Sequence, residues 1–62
     1  MRVIGKDNAG QIVGCFERQA GTVIGERLEA GARVVARTLF DGFRESMNWL
    51  YAIGAARVEV VG

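Results

Sequence analysis

The chain has 62 residues, eight of them basic and seven acidic, and a net charge of +1. A domain of this length buries only about 60% of the surface that its unfolded chain exposes, so a single core needs nearly all the large apolar side chains. The near balance of charge differs from the clear basic excess of strong nucleic-acid binders. Length and charge therefore favour one domain, residues 1–62, that binds another macromolecule rather than an enzyme with a deep pocket.

The residue types on which most enzymes and metal sites depend are nearly absent. The chain has no histidine and one cysteine, Cys15. Histidine is the commonest general base, and a zinc site needs several Cys or His ligands. Cys15 has no histidine to activate it and no second cysteine for an internal disulfide. We therefore expect no catalytic residue, no metal site and no cofactor.

Targeting signals are also missing from the sequence. No stretch approaches the roughly 18 consecutive apolar residues of a membrane helix. The first residues lack the apolar run of a signal peptide. These observations predict a cytoplasmic protein with no membrane partner.

Glycine-containing turns about every ten residues separate short apolar segments, a rhythm typical of a meander of strands. The predicted strands are Arg2–Gly5, Gln11–Arg18, Thr22–Glu29 and Arg33–Phe40, with turns at 6–10, 19–21 and 29–32. In the second strand, the larger Ile12 and Phe16 are expected to face the core. In the fourth strand, one alternating set should face inward: Val34, Ala36, Thr38 and Phe40. The other set, which contains Arg33 and Arg37, marks the solvent side.

The period changes after the fourth strand. Asp41 precedes an apolar run and is a favourable N-cap residue. From Phe43 the apolar spacing follows one helix face, which predicts a helix from Gly42 to about Ile53 that Gly54 ends. A last strand is predicted at 57–61. The expected fold class is α+β: an antiparallel meander sheet with one helix packed on one face, in the order β-β-β-β-α-β. The expected core residues are Phe16, Phe40, Phe43, Met47, Leu50 and Ile53.

Two surfaces are candidate partner-binding sites. The first is the flank of the helix, where Trp49 and Tyr51 are predicted to lie near the surface with Arg44. Aromatic and arginine side chains are frequent hot spots of protein interfaces, although Trp49 packed over an edge of the sheet would explain the same pattern. The second is the open sheet face, predicted to carry Arg18, Arg27, Arg33 and Arg37 among interleaved acids.

The run from Ala36 to Asp41, Ala-Arg-Thr-Leu-Phe-Asp, precedes a helix that contains Trp49-Leu50-Tyr51. This arrangement resembles small phage-encoded anti-CRISPR inhibitors of type I systems. One such family has a strand that ends in Ala-Arg-x-Phe-Asp and a helix that carries Trp-Phe-Tyr, packed on an antiparallel sheet. The present chain has one extra residue before Phe40 and has Leu50 in place of the family's Phe. The resemblance implies a phage protein that acts in the bacterial cytoplasm by blocking a type I CRISPR surveillance complex or its nuclease.

The leading hypothesis is therefore a small non-enzymatic inhibitor that binds a protein complex, a CRISPR–Cas effector in its sharpest form. One alternative is a DNA-binding domain that uses arginines on its sheet, as some phage integrase arms do. Interleaved acids count against it, because phosphate binding depends on local positive charge. Another alternative is a structural phage protein that forms homodimers through an exposed sheet edge, since proline and lysine, the usual guards of such edges, are absent or nearly absent.

Overall fold

The computed structural model describes residues 1–30 and 33–62. In it, five antiparallel strands form one sheet, and one helix packs on one face of that sheet. The elements are β1 Arg2–Lys6, β2 Ile12–Gln19, β3 Thr22–Glu29, β4 Arg33–Phe40, α1 Phe43–Ala52 and β5 Arg57–Val61. The strands lie side by side in the order β4-β3-β2-β1-β5. The predicted α+β class and the β-β-β-β-α-β order are confirmed.

The first two hairpins form at the predicted turns. In the first, the side-chain Oδ1 of Asp7 accepts the backbone N–H groups of Ala9 and Gln11 at 3.0 and 2.9 Å. In the second, Ala20 and Gly21 form a two-residue loop, and both have positive φ angles, of 50° and 82°. Two positive φ angles define a type I′ turn, whose twist matches that of the flanking strands. The third predicted turn, at 29–32, includes residues 31 and 32, which lie outside the described part of the chain.

The core lies between α1 and the face of the sheet that it covers. Its buried members are Val3, Phe16, Val23, Leu50 and Ala55. The partly buried side chains packed around them are Val13, Phe40, Phe43, Met47, Trp49, Ile53 and Val58. All six predicted core residues thus contribute, although Phe16 and Leu50 alone among them are fully buried. The sequence did not single out Val3, Val23 or Ala55. Val23, for example, shares its alternating set with the charged Arg27 and Glu29.

Three glycines let the helix approach the sheet closely. A Cβ atom at Gly5 would lie 3.0 Å from the Cβ of Ala55, and one at Gly14 would lie 2.6 Å from Cδ1 of Ile53. A Cβ atom at Gly25 would lie 2.8 Å from Cζ3 of Trp49. These glycines sit on the central strands β1, β2 and β3, so the absence of side chains there makes room for the helix.

The helix begins without a side-chain cap and ends at a glycine. The N-cap residue is Gly42, which has no side chain to cap the helix, so the prediction of Asp41 at this position was wrong. The buried Ser46 hydroxyl donates a hydrogen bond to the Gly42 carbonyl at 2.8 Å. At the other end, Gly54 has a φ of 120°, and Ala55 N–H donates to the Leu50 carbonyl at 3.0 Å. Gly54 therefore ends the helix as predicted. Within residues 1–30 and 33–62, no helix is long and apolar enough to cross a membrane.

Two register shifts change which side chains face the helix. Gly5 pairs with Gly14, but the next pair joins Lys6 to Ile12 and leaves Val13 as an extra residue. Similarly, Leu28 pairs with Val34 after Arg27 has paired with Ala36. A bulge of this kind reverses the alternation beyond it. Ile12 and Val34 consequently lie on the face away from the helix, and the predictions that they face the core were wrong.

Candidate functional site: the open face of the sheet

The face of the sheet that α1 does not cover is the main candidate interaction surface. We call it the open face and define it by side chains in three cross-strand rows. One row runs across all five strands as Val61, Arg2, Glu17, Ile24 and Leu39. The next runs as Glu59, Ile4, Cys15, Glu26 and Arg37. The third is interrupted by the bulges and contains Arg57, Lys6, Ile12, Leu28 and Val34.

Apolar side chains contribute much of the open face. Leu39 is 66% exposed, and Val34 and Val61 are each 46% exposed. Two shallow depressions, of about 330 and 230 Å³, lie side by side and share Arg2, Cys15 and Glu26 in their walls. The smaller depression is walled mainly by apolar side chains and the larger one mainly by charged and polar side chains. An apolar patch beside charged groups is typical of binding surfaces.

Glu26 is the centre of the polar network on this face. Arg37 donates from Nη2 and Nε to Oε2 of Glu26, at 2.8 and 3.2 Å. The thiol of Cys15 donates to Oε1 of the same carboxylate at 4.0 Å. The Glu26 side chain is only 25% exposed, whereas that of Arg37 is 66% exposed. The arginine therefore exposes most of its side chain while it neutralises a half-buried acid.

Two further ion pairs complete the charge pattern of the open face. Arg2 lies 4.0 Å from Glu17, and Lys6 lies 3.1 Å from Glu59. Arg2 and Lys6 thus each have an acid beside them on a neighbouring strand, and Arg57 lies opposite Lys6. With four bases and three acids, the face has a near balance of charge, which suits a protein surface of mixed charge better than a phosphate backbone.

Cys15 contributes a thiol to this face, and its surroundings make the thiol unreactive. Burial raises the pKa of the Cys15 thiol above its ordinary value of 9.0, and the Glu26 carboxylate raises it further. The thiolate is the reactive form of cysteine. At neutral pH the thiol remains protonated, so Cys15 is a small buried side chain in the middle of the sheet rather than a nucleophile.

The four arginines predicted to share the open face do not lie together. Only Arg37 is on it. Arg18 belongs to the helix side, where its Cζ lies 4.8 Å from the centre of the Phe43 ring. Arg27 is paired with Gly14 on the helix side, and Glu29 links it to Arg33 through contacts of 3.6 and 4.0 Å. The prediction of a four-arginine sheet face was therefore wrong.

On the helix flank, the prediction of an exposed Trp49 was wrong, and the alternative, that Trp49 packs over one side of the sheet, is confirmed. Trp49 is half-buried, and its ring lies 5.2 Å from that of Phe40, centre to centre. It packs over Gly25 at the β3–β4 side of the sheet, so it is a core residue and not an exposed anchor. Tyr51, 49% exposed, and Arg44 remain on the solvent side of the helix.

Sequence reasoning missed most of the open face. It assigned no binding role to four residues of this face: Arg2, Ile4, Ile24 and Leu39. Val23 and Ile24 are adjacent in the sequence, so their apolar side chains belong to the two alternating sets of β3. Apolar side chains on both parities of one strand indicate that both faces of the sheet carry apolar surface. That signal in β3 could have located this face.

Comparison of the chain with protein families, with curated proteins and with solved structures gave no match. The described residues hold no group of three or more His, Cys, Asp or Glu side chains that could bind a metal ion. The open face therefore carries the functional interpretation by its geometry and chemistry alone.

Proposed function

We propose that the chain is a small non-enzymatic inhibitor that binds a protein partner through the open face of its sheet. The observation that carries this proposal is an uncovered face on which exposed apolar side chains, such as Leu39 and Val34, surround a network of paired charges. Interfaces of standard size bury about 800 Å² on each partner. That area is about a fifth of the 4018 Å² surface of this chain, which one face of a five-stranded sheet can supply.

A partner of mixed charge fits this face better than DNA does. The open face mixes both signs of charge, and each of its acids, Glu17, Glu26 and Glu59, lies beside a basic residue. Two of the arginines proposed for DNA contact, Arg27 and Arg33, are held with Glu29 on the helix side. DNA binding would need those guanidinium groups on one surface, free of acids.

The identity proposed for the partner is a type I CRISPR effector complex, and it rests on the resemblance at residues 36–41 and 49–51. Within those segments, Phe40 and Trp49 pack against each other and serve the core. Arg37 and Tyr51 are the exposed members. Arg37 lies on the open face, so it is the residue of the resembling segment best placed for contact with the partner.

The proposal can be tested with purified type I effector complex and the purified chain in a direct binding assay, beside a measurement of CRISPR interference in cells that express the chain. The variants Glu17→Arg and Arg37→Glu change the open face at its centre and at one end. We expect each to weaken binding at least about tenfold, because reversed charges oppose a complementary partner, and to restore interference.

Arg44→Glu is the matched control, since it reverses an exposed charge on the solvent side of the helix. It should bind like the wild type. Circular dichroism of each variant separates lost binding from lost folding. Tight, salt-sensitive binding of the wild-type chain to DNA, with no binding to the effector, would replace the inhibitor hypothesis with the DNA-binding one.

A further inference from the structure

The outer edge of β4 is the longest stretch of unpartnered backbone in the part of the chain that the structure describes. β4 spans eight residues, Arg33–Phe40, and stands at one end of the strand order. Its inner side pairs with β3 along its length, which leaves alternate N–H and C=O groups on the outer side directed away from the sheet. β5, the opposite edge, has five residues.

β4 lacks most of the features that keep an edge strand from pairing. The chain has no proline, and β4 contains no lysine. Its one irregularity is the bulge near its start, where Val35 is an extra residue between the two that pair with Arg27 and Leu28 of β3. The stretch from Ala36 to Phe40 is regular and has largely exposed side chains. An edge of this kind is a template for another strand.

We infer that two copies of the chain join through antiparallel pairing of their β4 strands, which makes one continuous ten-stranded sheet with both helices on the same side. This inference is independent of the proposed function, because it uses the strand edge and not the open face. The two-fold axis is placed at Thr38, so that Thr38 lies opposite its own copy. Arg37 then lies opposite Leu39 of the second copy, and Phe40 lies opposite Ala36 of the second copy.

Charge and the bulge select this register among the symmetric ones, because an axis at Ala36 would pair Arg37 with Val35, the extra residue of the bulge. A two-fold axis at Arg37 would set two arginines directly opposite each other, which is unfavourable across strands. An axis at Leu39 would pair only residues 38–40 of each strand. With the axis at Thr38, residues 36–40 are paired, and Arg37 keeps its contact of 2.8 Å with Glu26.

Side-chain size on the helix side fits the same register. Ala36 and Thr38 are exposed there, because α1 covers the neighbouring strands and reaches β4 only near Phe40. In the paired sheet, the Phe40 ring of one copy stands beside the small Ala36 of the other. The half-buried Trp49, which packs on Phe40 at 5.2 Å, extends the apolar contact toward the second copy. Association also enlarges the small core of a chain this short.

The first test is the solution mass of the purified chain over a range of concentrations, by light scattering or sedimentation equilibrium. The wild type is expected to approach twice the 6.7 kDa mass of the chain at micromolar concentration. Thr38→Lys places two like charges at the two-fold axis, and we expect the dimer dissociation constant to rise about tenfold or more. Because Thr38 is exposed in the single chain, this variant should keep the wild-type circular dichroism spectrum.

Val60→Lys is the matched control, since Val60 is 66% exposed on the other edge strand. It should dimerise like the wild type. A wild-type chain that stays monomeric at high micromolar concentration, or a dimer lost in Val60→Lys and kept in Thr38→Lys, would overturn the inference. A chain that is monomeric alone but whose partner binding is abolished by Thr38→Lys would show that the β4 edge receives a strand of another protein instead.

A cross-linking experiment tests the register separately. In a Cys15→Ala background, Thr38→Cys should form a covalent dimer in oxidised glutathione, because only residues opposite their own copies come close enough for a symmetric disulfide. Leu39→Cys is the matched variant and should cross-link much more slowly. The reverse order of rates would place the axis at Leu39 and contradict the proposed register.

Discussion

The two faces of the sheet carry similar numbers of apolar side chains but differ in what surrounds them. On the helix side, Phe16 and Val23 are each 1% exposed, and Leu50 of the helix is fully buried. On the open face, Ile4 and Ile24 remain partly exposed beside paired charges, and Leu39 is 66% exposed. Burial by one helix thus separates a face that stabilises the fold from a face that is available for binding.

Glycine accounts for much of this difference. The three strands under the helix each give up a side chain, at Gly5, Gly14 and Gly25, and the helix occupies the space. The residues next to these glycines, Ile4, Cys15 and Ile24, point to the open face and have medium or large side chains. These strands therefore carry smaller side chains on the face that the helix covers than on the open face. Four predictions measure how unequal the two faces are.

The largest difference is expected between two leucines. Leu50→Ala should lower the free energy of unfolding by about 2–5 kcal/mol, because it leaves a cavity in the core. Leu39→Ala, on the open face, should change it by no more than about 0.5 kcal/mol. Urea unfolding followed by circular dichroism measures both values. Equal losses for the two variants would mean that the open face is buried in solution, for example by a second copy.

The second-largest change in stability is expected when a glycine beneath the helix is replaced. Gly25→Ala should lower the free energy of unfolding by about 1–3 kcal/mol, because the new methyl group meets the rigid rings of Phe40 and Trp49 at 2.7 and 2.8 Å. Gly14→Ala is the matched variant: its nearest neighbour is Cδ1 of Ile53, the end of a flexible side chain. It should cost less than Gly25→Ala in the same unfolding assay. The opposite ranking would show that the helix is held above β2 more tightly than above β3.

The ion pair of the open face should contribute less than either packing effect. Arg37→Gln is expected to lower the free energy of unfolding by about 0.2–1 kcal/mol, the usual range for exposed ion pairs. The Arg37 side chain is 66% exposed, so added salt should shrink the difference from wild type. A loss well above this range, insensitive to salt, would indicate that Arg37 is buried in an assembly.

The smallest effect is a pH dependence that is absent near neutrality. Because burial and Glu26 raise the pKa of the folded Cys15 thiol, the folded state holds a proton that the unfolded chain releases from about pH 9.0 upward. Stability from this group is therefore fully present below pH 9.0 and falls as the pH rises toward the higher pKa of the folded state. The unfolding free energy of Cys15→Ala, measured at the same pH values, should lack this part of the decline. Parallel curves for the two proteins would contradict a raised pKa.

The sequence alone was sufficient for the element order and for three strands, at Thr22–Glu29, Arg33–Phe40 and Arg57–Val61. It also located the end of the helix at Gly54. These features depend on local causes: alternation along a strand, the 3.6-residue period of a helix, and the positive φ angles that glycine adopts easily. The residue-level chemistry was equally readable, since the absence of histidine and the single cysteine need no structure to be seen.

Only the tertiary structure decided which side chains share a face. The bulges at Val13 and near Val34 reversed the alternation, which moved Ile12 and Val34 to the open face and separated Arg33 from Arg37. The pairing register of β2, β3 and β4 placed Arg18 and Arg27 on the helix side, away from Arg37. Trp49 became a core residue because Gly25 leaves space beneath it. A bulge depends on pairing between strands distant in sequence, and a close helix approach depends on both partners at once. Neither is encoded in the local pattern of one segment, so the element order was predictable and the binding surface was not.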